Sequence, residues 1–163
     1  MLLQSADLPP GFVAWSEGYQ RNEDILERAG SDPEVVRSLR NSGRQTGYVA
    51  AYQAFDPTDV ALEGIFIILE LYDRPNQAST ALYRDPRQVA GIAMRPVTIE
   101  PLADESLAYT ALSQDSTIYS VWFRNDRFTA VVFTSSVASD ASVEEARTFA
   151  QRLLAQIQAA SRS

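Results

Sequence analysis

Glu70 is the residue of this 163-residue chain whose position most invites chemistry, because it is an acid set inside an otherwise apolar run, residues 62–72. In an extended strand it shares a pleat face with Phe66, Ile68 and Tyr72. A carboxylate buried there would be pushed toward its neutral form and could act as an acid or base. The alternative is a strand end that reaches solvent, and it is the favoured one. No second carboxylate stands beside Glu70 in sequence, whereas glycosidase chemistry needs a pair.

Aromatic side chains supply a second set of candidates. Tyr48 and Tyr52 fall on one face of a strand, Trp15 and Tyr19 lie four residues apart, and together with Trp122 they are candidates to line an apolar pocket for a small ligand. The plainer alternative for each is core or rim packing. Arg124 and Arg127 flank a hairpin turn and are expected to face each other across it. An anion or acidic partner would relieve that like-charge pair, and so would solvent at a hairpin tip.

Composition removes several chemistries. The chain has no Cys and no His, so it lacks the thiolate and imidazole ligands of structural zinc and of most catalytic transition-metal sites, and no metal ligand set is expected. Triads built on His or Cys are excluded for the same reason. Twenty-one acidic residues against 14 basic ones give a net charge of −7, and every basic residue is a dispersed Arg. Nucleic acid is therefore not an expected partner, since phosphate contacts need clustered basic surface. Neither a phosphate-cradling nor a dinucleotide glycine pattern is present, so no cofactor is expected.

The elements that must position these residues follow from periodicity. One domain, 1–163, suits the length, and the longest apolar run, GIFIIL, is too short to span a bilayer. Residues 1–14, with LPPGFVAW, are expected to form an extended lead-in, because Pro9 and Pro10 fix φ and Gly11 permits a turn. The N-terminus has no basic region of the kind that opens a signal peptide. Two short helices follow, one over about 23–29 with Asn22 as N-cap and one from Asp32-Pro33 to about Gly43. Strands are predicted at 47–55 and 62–72, separated by the turn Asp56 to Asp59, with the second strand apolar on both faces and hence central. A helix from Pro75 to about Tyr83 comes next, then an edge strand somewhere in 89–101 and a strand over 107–112.

The most clearly patterned part is the C-terminal third. Strands over 117–124 and 127–135 joined at Asn125-Asp126 would pair Phe123 with Phe128 and Val121 with Ala130, leaving Trp122 and Thr129 on the opposite face. That face is the first place to look for a ligand. Ser142 and Glu145 have the spacing of a capping box, and Val143, Ala146, Ala150, Leu153 and Ile157 recur at helical spacing behind them. Both 47–83 and 117–154 thus run strand, turn, strand, helix, which suggests a ββα unit used twice. The fold class is α+β: an antiparallel sheet of about five to seven strands, packed by helices on one face, with the short N-terminal helices at an edge.

Certain segments also carry a resemblance. LPPGF near the start, GRQTGY opening a strand, and VWFRNDRFTAVVF followed by the Ala-rich EEARTFAQRLLAQI resemble the small extracytoplasmic domains, often lipoproteins, that high-GC bacteria make, with a PsbP-like or receptor-kinase sensor-domain fold. In those domains the hairpin turn often carries Gly after the Asn, where this chain has Asp126. The resemblance implies an exported location, with an export signal or lipobox encoded upstream of Leu2, and a protein or small-molecule ligand to bind. It implies no catalytic residues. The expectation is a non-catalytic binding module of the cell envelope. Its competitor is a small-molecule binder or enzyme in which Glu70 and the tyrosines line a pocket between sheet and helices; for location, the alternative is the cytoplasm.

Overall fold

The computed structural model describes residues 3–30, 32–55, 62–86, 90–113, 115–137 and 141–162. Its centre is β3, Leu62–Tyr72, whose bounds coincide with the apolar run in the sequence. Ile65, Ile67, Leu69 and Leu71 point to one side, and Phe66, Ile68, Glu70 and Tyr72 to the other, as strand alternation requires. A strand apolar on both sides must be flanked and covered. β3 has β2 (Arg44–Ala54) on one edge and β7 (Phe128–Ser136) on the other, both antiparallel.

The remaining strands extend the sheet outward from that pair. β1 (Phe12–Gln20) pairs with β2, while β6 (Ser116–Asn125), β5 (Glu105–Ser113) and the two-residue β4 (Arg95–Pro96) follow β7. The result is one seven-stranded antiparallel sheet of order β1-β2-β3-β7-β6-β5-β4. β4 is the edge strand expected within 89–101. β1 was not expected as a strand. Gly11, at φ 83°, turns the chain away from Pro9-Pro10, and its carbonyl accepts the Phe55 N–H at 2.8 Å, so the supposed lead-in becomes a paired edge strand from Phe12 onward. The turn expected at 56–59, like the start of the 89–101 stretch, lies outside the described residues.

Among the described residues four helices accompany the sheet: α1 (Asn22–Arg28), α2 (Pro33–Ser42), α3 (Pro75–Leu82) and α4 (Val143–Ala160). The α+β class is as expected, but the two longer-range helices do not share a face. Ala146, Phe149, Ala150, Leu153 and Ile157 of α4 pack with Ile65, Ile67, Val121, Phe123 and Val132. Leu82 of α3 packs instead with Trp122, Val131 and Phe133, the residues that alternate with the first set. The ββα segments therefore do not repeat as one rigid unit: β3 and β7 run antiparallel, and a two-fold relating them would put both helices on one side.

Two local expectations are corrected by hydrogen bonding. Asn125 pairs with Phe128, so the hairpin turn is Asp126-Arg127, and the register pairs Phe123 with Ala130 and Val121 with Val132. Asp126 takes φ 53°, a left-handed conformation that Asp tolerates better than most residues. The slip is two residues, so each side chain keeps its expected face. Ser142 occupies the N-cap of α4 without a side-chain bond to the helix, and Asn22 is the first residue of α1, with its side chain engaged elsewhere.

Candidate functional site

Glu70 is buried, and the company it keeps overturns both expectations for it. Its Oε1 accepts from Arg44 Nε at 2.8 Å, and its Oε2 accepts from Arg84 Nη2 and from the Tyr72 hydroxyl at 2.9 Å. Arg44 is satisfied in turn: Nη1 donates to Asn22 Oδ1 at 2.7 Å and Nη2 to the Gln20 carbonyl at 3.0 Å. Asn22, expected as a helix cap, is recruited here because its amide also donates to the Arg44 carbonyl. Burial pushes the Glu70 carboxyl up, and the Arg84 and Arg44 guanidiniums more than offset this, holding it below the usual carboxylate range. Such a group stays ionised. It is a clamp joining β2, β3 and the end of α3, with no proton poised for transfer.

The other expected site residues fall on different sides of the sheet. Tyr48 and Tyr52 do share a face, that of α4. Tyr52 is in the core, its hydroxyl donating to the Leu3 carbonyl at 3.2 Å, and burial pushes it up to about 12. Tyr48 is half-buried, and Tyr19 meets it edge-on with ring centroids 5.1 Å apart. Glu70 and Trp122 lie on the α3 face. Trp122 is 1% exposed, donates from Nε1 to Ser120 Oγ at 3.0 Å, and stacks edge-on against Tyr109. One pocket cannot hold all four, because the sheet separates them.

Arg124 and Arg127 do not form an anion site. Arg124 is paired with Thr129 across the hairpin and donates to Glu105 at 2.7 Å and to Asp104 at 3.1 Å, so two carboxylates already neutralise it. Arg127 lies 3.9 Å from the carboxylate of its neighbour Asp126. The sequence offered no sign of this, because Glu105 opens β5 and Asp104 lies just before it, far along the chain from the hairpin turn.

Two concave surfaces stand out among the described residues. The smaller, about 430 Å³, lies on the α4 face beyond the end of the helix and is lined by Tyr19, Thr46, Tyr48, Leu69, Leu71 and Phe128. The larger, about 530 Å³, opens on the α3 face, the one that carries Trp122, at the opposite end of the strands from the Glu70 clamp. Trp15, Phe66, Ile92, Ile118 and Phe133 form its apolar walls. α3 spans eight residues and its buried side chains, Ala78, Ala81 and Leu82, reach only part of this face. Trp15 is left 75% exposed. Phe66 and Phe133, neighbours across β3 and β7, have ring centroids 6.0 Å apart.

β-bulges aim two of the lining residues. The β1–β2 register shifts between Ala14 and Ser16, leaving Trp15 without an opposite partner, and the β3–β7 register shifts between Leu62 and Gly64, leaving Glu63 in the same situation. A bulge turns one side chain out of the regular alternation, which is why bulges gather beside functional sites. Glu63 is fixed once it is there: its Oε2 accepts from Ser116 Oγ at 2.6 Å and Ser135 Oγ at 3.0 Å. Sequence reasoning gave no weight to Glu63 or Phe66, since neither bulge has a signature in the residues around it.

No family model matches this chain, and no curated protein does. Among solved structures it is similar to the extracellular domain of PknH from Mycobacterium tuberculosis, with a TM-score of 0.59 over 92% of this chain and 89% of that one. The chain has the fold of that domain. Identity is 8%, so the likeness is one of architecture, in agreement with the sensor-domain type of fold that the sequence motifs resemble. None of the helices among the described residues is long and apolar enough to cross a membrane.

Proposed function

We propose that this chain is a non-catalytic binding module of the bacterial cell envelope, and that the cleft between Trp15, Phe66 and Ile92 is where it binds. The observation that carries the reading is the pair of bulges at Trp15 and Glu63, which break strand alternation to present an aromatic ring and a carboxylate to one apolar cleft. A concave apolar surface with a few fixed polar groups is the usual form of a ligand site. The fold likeness to an extracellular domain supports an exported location.

The competing reading, an enzyme acting through Glu70 and the tyrosines, has no shared cavity to work in and a carboxylate held ionised by two arginines. Titration of ¹⁵N-labelled protein with 1-octanol, a neutral apolar probe, tests the cleft. The Trp15 indole N–H signal is expected to shift saturably, and Trp15→Ala to weaken binding. Octanol shifts confined to other parts of the protein would remove the reading. The envelope location is tested separately by the coding sequence upstream of residue 1: an export signal or lipobox there is expected, and the absence of both would overturn it.

A further inference from the structure

Among the described residues lining the larger cleft, Glu63 is the one that carries a formal charge. The rest of the lining is apolar, aromatic or neutral and polar, with Trp15, Phe66 and Phe133 supplying ring faces and edges. This combination discriminates by charge. An anion entering would meet an ionised carboxylate and the negative faces of aromatic rings, whereas a cation would be attracted by both.

The carboxylate is also prepared for such a partner. Both hydroxyls that hold Glu63, from Ser116 and Ser135, donate to the same oxygen, Oε2, and Oε1 receives no hydrogen bond from the described residues. One oxygen thus anchors the group to β6 and β7. The other keeps its acceptor capacity, and an ionised carboxylate has room for several donors. Trp15, also in the lining and 75% exposed, offers an open ring face to the apolar body of such a ligand. The chain as a whole carries −7, which favours the approach of a cation.

We infer that the cleft takes an organic cation on an apolar body, an alkylammonium or guanidinium group whose charge meets Glu63 Oε1 while its hydrocarbon part lies against Trp15, Phe66 and Ile92. This rests on the cleft being the binding site and adds the chemical class of its ligand.

Three probes of equal chain length separate the two claims: octylammonium, 1-octanol and octanoate, each titrated into ¹⁵N-labelled protein at pH 7 with the Trp15 indole signal as readout. Octylammonium is expected to bind at least about tenfold tighter than octanoate, a difference of about 1.4 kcal/mol. Glu63→Gln, which retains an oxygen to accept the two serine hydroxyls, should reduce octylammonium affinity by about that factor and leave octanol unchanged. Gln53→Glu, at an exposed lining position where folding is not at stake, should tighten octylammonium. Equal binding of octylammonium and octanoate, or an octylammonium affinity indifferent to both substitutions, overturns the cation inference while octanol binding preserves the cleft. Failure of all three probes to bind overturns both.

Discussion

Arg44 and Glu70 meet across β2 and β3 with Nε and Oε1 2.8 Å apart, and their side chains are 2% and 6% exposed. Removing either partner leaves the other charged and buried, which costs on the order of 3–5 kcal/mol. Arg84 also binds Glu70 but is 34% exposed, so water can take over part of its role. Chemical denaturation should therefore rank Glu70→Ala and Arg44→Ala as strongly destabilising and Arg84→Ala as clearly milder. Equal losses for Arg44→Ala and Arg84→Ala would contradict the burial difference.

The same clamp sets a pH dependence. The Glu70 carboxyl titrates lower in the folded protein than in the unfolded chain, where it sits near about 4.3. A depressed folded value means that the stabilisation is complete above the unfolded value and is lost as pH falls toward the folded one. Melting temperature should thus fall as pH drops below about 4. Glu70→Gln, less stable at neutral pH, should show a shallower acid limb, and parallel limbs for the two proteins would rule out Glu70 as a source of acid sensitivity.

Gly47 is part of the clamp without contributing a side chain. A Cβ there would run into the Arg44 guanidinium and lie 3.1 Å from the Leu69 carbonyl. Gly47→Ala forces the guanidinium off Glu70 or the strands apart, and overpacking of this kind costs about 1–3 kcal/mol. In a double-mutant cycle Gly47→Ala and Arg44→Ala should be strongly non-additive, because the second removes what the first collides with. Additive losses would place the Gly47 effect elsewhere.

Much of the scaffold was legible because its signals are local. β3 matches its apolar run residue for residue, and the stripe of α4 is carried by residues at helical spacing. β1 was hidden by Pro9-Pro10-Gly11, which reads as irregular chain although Phe12 to Gln20 pair with β2 throughout except at the bulged Trp15. The Glu70 clamp was half legible: an acid in an apolar strand is conspicuous, but Arg44 stands in the polar stretch NSGRQTG and reads as loop. The cleft was hidden more completely, because Trp15 and Glu63 owe their orientation to register shifts that arise only when strands pair. The opposite-face helices were hidden too, since periodicity gives each helix a buried stripe without saying which side of the sheet receives it.

The two tryptophans differ enough to be told apart optically. Trp15 is 75% exposed on the edge strand, whereas Trp122 is 1% exposed between Tyr109 and the end of α3. Acrylamide quenching should resolve two emission components, a red, accessible one and a blue, protected one. Trp15→Phe should abolish the first. A single readily quenched component in Trp15→Phe would mean that Trp122 is open to solvent, and the earlier expectation of Trp122 as a direct ligand contact would regain its basis.

Helix caps give a final comparison in which sequence and structure disagree on magnitude. Ser142 and Glu145 have the spacing of a capping box, which would make Ser142→Ala cost about 1 kcal/mol. In the folded protein the Ser142 side chain makes no bond to the helix. Asp32 does cap α2, its Oδ1 accepting from the Glu34 N–H at 2.8 Å, with Pro33 in the first turn. Chemical denaturation should therefore place the loss of about 1 kcal/mol at Asp32→Ala and leave Ser142→Ala near wild type. If Ser142→Ala proves the costlier of the two, its hydroxyl reaches the helix in solution and the local sequence signal was the better guide at that terminus.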